Sequence, residues 1–249
     1  FIKIAGIYAL ARVFFNVIGT SDKLLFVLMS LGIISMVVGA FLAVAQSDIK
    51  RMFAYSSISQ VGYIVFALGI GTPLAILGGL FHLFNHALFK SLLFFNAGAI
   101  EYSTGTRSLN KLSGLNSRLP VTGASSLVGS MSISGIPPLG GFWSKLIIII
   151  AAIQAGYFAF AIIAAVISIV TLVYYLKFQS FAFFGKLDSA LSKIKEVPLT
   201  MKLTMIILAL LCILSGLLVI PAFRPFLQSA TDVLLAGTGY KEVVLNIIR

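Results

Sequence analysis

The sequence predicts an all-α, polytopic membrane helix bundle of about seven transmembrane helices, one of them broken between Gly135 and Gly141. Three observations predict it. Hydrophobic residues make up 59% of the 249 positions and charged residues only 10%, whereas soluble domains are about half apolar and a quarter charged. The mean hydropathy is +1.08. Apolar runs near the ~20 residues needed to cross a bilayer core recur along the chain.

The first span covers residues 2–18 and is interrupted by Lys3 and Arg12. Arg12 fits a buried path or a side chain snorkelling to the interface. Residues 24–45 form an uncharged second span. The third, 53–70, is polar at its start, with Tyr55, Ser56, Ser57, Ser59 and Gln60. The fourth, 74–100, carries His82, His86 and Lys90 at i, i+4 and i+8. On a helix these three form a slowly turning column roughly 12 Å tall. An ionisable group in hydrocarbon costs at least a few kcal/mol, so three in one span suggest a route for charge. The alternative is two hydrogen-bonded packing histidines and a snorkelling lysine. Lys90 lies near the middle of its apolar run, which disfavours snorkelling.

The fifth apolar stretch, 121–155, is too long for one simple helix. It contains Ser134-Gly135-Ile136-Pro137-Pro138-Leu139-Gly140-Gly141. Consecutive prolines remove two backbone donors and clash with the preceding turn, and the glycines loosen the chain further. The expected result is one span broken into half-helices 121–134 and 142–154. Irregular backbone at membrane depth is tolerated only inside protein or along a wet cavity, and such breaks mark ion sites in transporters. The alternative, a loop joining two separate helices, leaves each half too short to cross. Lys145 follows the break and precedes Ile147, Ile148, Ile149 and Ile150. An amine at that depth either exchanges a proton or is pinned by a carboxylate from a neighbouring helix. Spans six and seven cover 157–178 and 201–220. Residues 1–223 read as the membrane domain, and 224–249 as a tail lying along the interface or against a partner.

Several function classes drop out. The single Cys212 excludes an intrachain disulfide and a cysteine-ligated iron–sulfur cluster. Metal-site and phosphate-loop patterns do not occur, so no cofactor and no metal is expected. The net charge of +11 could suggest nucleic acid, but the basic residues sit in loops between apolar spans. With seven spans, one side receives Lys50, Arg51, Arg107, Lys111, Arg118, Lys186, Lys193, Lys195 and Lys202. The other receives Lys23, Arg224, Lys241 and Arg249. The richer side is expected to be cytoplasmic and the C-terminus outside, in a cell inner or plasma membrane. The chain starts at Phe1 and enters an apolar segment directly, with no signal peptide in view, so it reads as a piece, or the ordered part, of something longer.

The run from Ser47 through Asp48-Ile49-Lys50-Arg51 and Ala54-Tyr55-Ser56-Ser57-Ile58-Ser59-Gln60 to Gly62-Tyr63 resembles a signature of the antiporter-like subunits. That family is shared by complex I, Mrp-type cation/proton antiporters and energy-converting membrane hydrogenases. His82, His86 and Lys90, and the segment Gly135 to Lys145, resemble two further signatures. The likeness covers roughly residues 2–185. It implies a fourteen-helix fold built from two inverted five-helix repeats, of which this chain looks like the C-terminal half. Lys3 would match the helix-eight lysine that links the halves. His82, His86 and Lys90 would lie on helix eleven, and Lys145 on the broken twelfth, where some relatives carry Glu. Lys50, with Asp48, would lie near the cytoplasmic entry. Asp48 also suits a plain role as a helix cap. The N-terminal repeat is absent from this sequence.

The functional expectation is a proton-translocating antiporter-like subunit, or half-subunit, conducting H+ along Lys3, His82, His86, Lys90 and Lys145 with bridging water. Expected partners are other membrane subunits, including whatever supplies the N-terminal half, together with the lipid bilayer and no nucleic acid. Two alternatives stand beside it: a Na+/H+ antiporter component of Mrp type, and a transport-inactive structural component. Redox chemistry is expected in partner subunits. The segment Glu196-Val197-Pro198-Leu199 and the short loops resemble Mrp or hydrogenase relatives more than bacterial complex I.

Overall fold

The computed structural model describes residues 2–187, 189–219 and 224–237, with the side chains of residues 2, 3, 224 and 226 outside the description. Nine α-helices account for most of these residues: α1 (Ile2–Arg12), α2 (Asp22–Val44), α3 (Ile49–Ile70), α4 (Pro73–Thr104), α5 (Pro120–Ser134), α6 (Gly140–Gln154), α7 (Phe158–Ala182), α8 (Leu199–Leu214) and α9 (Arg224–Leu235). No strand occurs among the described residues. A π-helical turn, Val13–Ile18, extends α1. The helices α2, α3, α4, α7 and α8 with its 3₁₀ extension are long and apolar enough to cross a membrane. The all-α membrane bundle expected from composition is therefore what forms.

Local chemistry sets the helix ends. Ser21, Asp48 and Thr72 accept N-terminal backbone hydrogens of α2, α3 and α4, which satisfies donors that have no helical partner. Pro73 and Pro120 occupy first-turn positions where no donor is needed. α5 ends at Gly135, with φ of +79°, a conformation that glycine adopts without a Cβ clash. The break therefore falls where the prolines and glycines predict it. Each 15-residue half rises about 22 Å, short of the ~30 Å hydrocarbon core.

α4 lies at the centre and touches α3, α5, α6, α8 and α9. α2 packs on α3 through an interface made of backbone. A Cβ at Gly39 would lie 2.5 Å from Ser59 N, and one at Gly62 would lie 2.5 Å from Met36 N. Gly32 and Gly69 are equally confined against Phe66 and Met29. Small residues let membrane helices approach closely where no hydrophobic force drives them together. The outer faces of α2, α7 and α8 expose Phe26, Ile34, Phe41, Ile162, Ile169 and Leu210, an apolar belt suited to lipid.

Three basic loops meet at one end. Ile49 N donates to Arg107 O at 3.0 Å and Leu109 N to Ser47 O at 2.8 Å, while Gly114 N donates to Phe184 O at 3.1 Å. This matches the sequence-based grouping of those loops on one side. At the other end α9 folds back, burying Leu227 and Leu234. Asn16 Nδ2 donates to the carbonyls of Val233 (3.2 Å) and Gly237 (2.9 Å) at the end of α9. The described part of the tail thus packs on this chain's own helices, and residues 238–249 lie outside the described residues. Gly39→Val or Gly62→Val should force α2 from α3 at a cost of about 1–3 kcal/mol. A fall in detergent melting temperature measures it, with Gly98→Ala, which meets nothing within 4 Å, as the tolerated control.

Candidate functional site

Lys90 is buried, and its ammonium has oxygens around it. Nζ donates to Phe53 O at 3.0 Å, Ser56 Oγ at 2.9 Å and Tyr175 Oη at 3.2 Å. Phe53 and Tyr175 stack with centroids 5.7 Å apart, and the ammonium lies 5.9 Å from each ring centre. Ring faces attract a desolvated cation. α3 and α7 thus build the pocket that α4 fills.

From Ser56 the polar contacts continue. Tyr174 donates to Ser56 Oγ at 2.8 Å, and Gln60 follows Ser56 by one turn of α3. Gln60 Oε1 meets His82 Nε2 at 3.2 Å, and His82 Nδ1 meets Ser144 Oγ at 2.9 Å. Ser144 precedes Lys145 in α6. Lys90 therefore meets Ser56, and His82 meets Gln60, one turn apart on α3. All three residues of the column expected from sequence are buried on α4. His86 packs edge-on against Phe89, centroids 5.6 Å apart, and lines a cavity of about 710 Å³ with Ile4, Ser57, Lys90, Phe94 and Met201.

His82 is held so that it can change charge without moving. Gln60 Oε1 only accepts, so Nε2 carries a hydrogen. In the neutral ring, Nδ1 accepts from Ser144. In the imidazolium, Nδ1 donates to Ser144 Oγ, whose own hydrogen then turns to Gly141 O at 3.2 Å.

The helix break serves Lys145. Its amine donates to Ile133 O at 2.7 Å and reaches Ser168 Oγ at 3.4 Å. Ile133 is in the last turn of α5, where carbonyls lack helical partners and carry the negative end of the helix dipole. An unbroken helix would have consumed that carbonyl. Gly141 fits against Ser132 O so closely that any Cβ would collide, and Gly140 is similarly confined by Asn85 and Ser215. Pro138 O accepts from Trp143 Nε1 at 3.2 Å, and Pro137 lies in the turn between the halves. Tyr63 contacts both sites: its ring centre is 5.1 Å from Lys145 Nζ and 5.7 Å from the His82 ring. Among the described residues Lys145 makes no ion pair, and its amine rests on a backbone carbonyl and a hydroxyl. Near this line Gln60 Nε2, Asn85 Oδ1, Ser132 Oγ and Ser134 Oγ have no partner among the described residues, a pattern typical of water sites.

The remaining expected residues sort by place. Lys3 belongs to α1, but its side chain is outside the described residues. Asp48 accepts from Arg51 N at 2.9 Å, capping α3, and pairs with Arg107 at 3.2 Å. Lys50 pairs with Glu101. These charges sit at the basic-loop end, away from the buried line. Sequence reading noted Ser56 and Gln60 without a role and missed Tyr174 and Tyr175. The available signal was a tyrosine pair inside a 25-residue, mostly apolar helix.

The family described as NADH:quinone oxidoreductase/Mrp antiporter, TM, matches residues 2–171. The chain is 36% identical over 245 residues to a Na(+)/H(+) antiporter subunit of Alkalihalophilus pseudofirmus, covering 97% of this chain and 49% of that protein. It is 33% identical over 241 residues to a probable K(+)/H(+) antiporter subunit of Rhizobium meliloti, covering 94% of this chain and 24% of that protein. One polypeptide of the Mrp complex from Dietzia sp. DQ12-45-1b superimposes with a TM-score of 0.86 at 25% identity, over 94% of this chain and 51% of that one. The chain thus spans about a quarter to a half of the length of these relatives.

Ser56 is the shared acceptor of Lys90 and Tyr174. Ser56→Ala should leave buried donors unmatched and cost about 1–3 kcal/mol. Thermal melting in detergent reads this, and Ser56→Thr, which keeps the hydroxyl, should recover most of it.

Proposed function

The chain belongs to the NADH:quinone oxidoreductase/Mrp antiporter transmembrane family, and on that footing we propose that it is a proton-translocating, antiporter-like part of a multisubunit membrane complex. One observation carries this reading. Lys90 and Tyr174 meet Ser56, and one turn along α3 from Ser56 Gln60 meets His82, which meets Ser144 beside Lys145, all inside an apolar bundle. A packing role explains a single buried amine, but not two amines at the ends of a shared hydroxyl and imidazole line.

In this reading Lys90 and Lys145 hold the proton in turn, and His82 passes it between them. Two ammonium groups in a low-dielectric interior repel, so loading one favours release from the other. Serine and tyrosine hydroxyls reorient to pass a proton on, and imidazole accepts and donates near neutral pH. His86 lines the cavity beside α1, where the half that this sequence lacks would join, and Lys3, whose side chain lies outside the described residues, is the carrier on α1 that the family resemblance implies. That half comes from another segment or another chain. The basic-loop end faces the cytoplasm, with Asp48 and Lys50 near its entry, and the C-terminus lies outside. Other membrane subunits surround the chain and perform any redox step.

Na+ is the competing substrate, since antiporter relatives carry it in their names. Sodium prefers hard oxygen ligands, whereas this interior line ends in nitrogen cations. Parallel measurement of ²²Na⁺ flux and a pH-dye response in proteoliposomes of the assembled complex separates the two ions. Lys145→Ala and Lys90→Ala should each abolish proton uptake there while leaving assembly intact. Wild-type uptake in both variants overturns the assignment.

A further inference from the structure

A second polar seam runs along α5, separate from the Lys90–His82 line. Thr122, Ser126, Ser130 and Ser134 recur every four residues, so they lie on one face of the helix, and all four are buried. Glu196 stands at its outer end: Oε1 accepts from Thr122 Oγ1 at 2.7 Å and Oε2 from Val121 N at 3.0 Å. Glu196 also lines a surface cavity of about 560 Å³ at the basic-loop end, with Tyr102, Ser103, Lys193, Ile194 and Lys195. At its inner end Ser168 donates to Ser134 O at 3.3 Å and receives Lys145 Nζ at 3.4 Å.

The middle of the seam is organised by two amides. Gln179 Nε2, from α7, donates to Ser126 Oγ at 2.9 Å and Ser130 Oγ at 2.8 Å. Both hydroxyl hydrogens are thereby left to donate elsewhere. Asn96, from α4, accepts from Ser125 at 2.9 Å. Its Nδ2 is fully buried and has no partner among the described residues, and neither do Ser132 Oγ and Ser134 Oγ. Buried donors of this kind are met by ordered water. The steps from Thr122 to Ser126, from Ser126 to Ser130 and from Ser130 to Ser134 each rise about 6 Å, the span of one water with two hydrogen bonds; Gln179 holds the two middle hydroxyls without itself carrying the proton.

The geometry points to a proton access route from the basic-loop surface to Lys145, entered at Glu196 and running along the α5 serines with bridging water. It rests on the reading of Lys145 as a proton carrier. Glu196 takes a proton from the vestibule and passes it to the first water. Each hydroxyl or water accepts one proton and gives up its own, and neutral Lys145 becomes ammonium. Glu196 returns to carboxylate, and no other bond changes. Helix capping accounts for the contacts of Glu196 with Val121 and Thr122. It does not account for the unmatched Ser134 Oγ deeper along the same face, or for the buried, unmatched Ser132 Oγ and Asn96 Nδ2 beside it.

The test uses the assembled complex in proteoliposomes with a pH dye. Glu196→Gln keeps an acceptor for Thr122 but cannot exchange a proton, and Gln179→Leu plugs the seam at similar volume. Both should cut proton flux by at least about tenfold at normal assembly. If Gln179→Leu does not assemble, the Ser126→Ala/Ser130→Ala double variant takes its place, since it removes only two oxygens. Millimolar formate, a small proton donor that fits the vestibule, should restore flux to Glu196→Gln and leave Lys145→Ala inactive. Wild-type flux in the Glu196 and seam variants, with Lys145→Ala inactive, overturns this route and leaves the proposed function standing. A defect in Glu196→Gln that formate does not rescue overturns it in favour of capping. Wild-type flux in Lys145→Ala removes the proposed function itself, and this route with it.

Discussion

Lys90 sits inside an apolar bundle because oxygens from two other helices reach its ammonium. The Phe53 carbonyl and Ser56 hydroxyl come from α3, and the Tyr175 hydroxyl comes from α7. A buried charge without such partners carries a penalty of several kcal/mol. The same contacts therefore fix how α3, α4 and α7 lie against one another. Phe53 stacks on Tyr175 and meets Phe178 edge-on at 5.1 Å, closing the pocket against lipid.

Lys145 meets the same demand by another device. Its helix stops, restarts, and uses a carbonyl from the end of the preceding half as acceptor. The break looks like a defect in sequence, but it supplies the negative helix terminus that a buried amine needs. The two amines thus rest on fixed oxygens at opposite ends of a line whose middle members, Ser56, Tyr174, His82 and Ser144, can turn their hydrogens. The rigid α2–α3 pair, held backbone to backbone at Gly39 and Gly62, keeps Ser56 and Gln60 in place while those hydrogens turn.

Polar residues on α5 follow the same economy. Apolar side chains at Thr122, Ser126 and Ser130 would pack as well in hydrocarbon surroundings, where lipid is as apolar as leucine. Hydroxyls there need partners, and Glu196 and Gln179 provide them. Its own bonds to Val121 N and Thr122 Oγ1 hold Glu196 over the α5 terminus.

The sequence by itself determined the class, most span positions, the break at 135–141 and the buried amines. Hydrocarbon imposes span length and rejects charge, and both demands are written in local composition. It also marked Asp48 as a cap, because capping acts over three residues. What it left undecided was which groups meet. Tyr175 lies 85 residues from Lys90, and Asn16 lies 221 residues from Gly237. The regular His82, His86, Lys90 spacing suggested one column; the side chains that meet Lys90 and His82 come from α3, α6 and α7, and His86 lines a cavity wall. Glycines at 32, 39, 62 and 69 drew no attention in sequence, since their importance appears only when two helices touch. Hydrogen-bond partners across a bundle depend on helix packing, a property of the whole chain, so only the tertiary structure decided them.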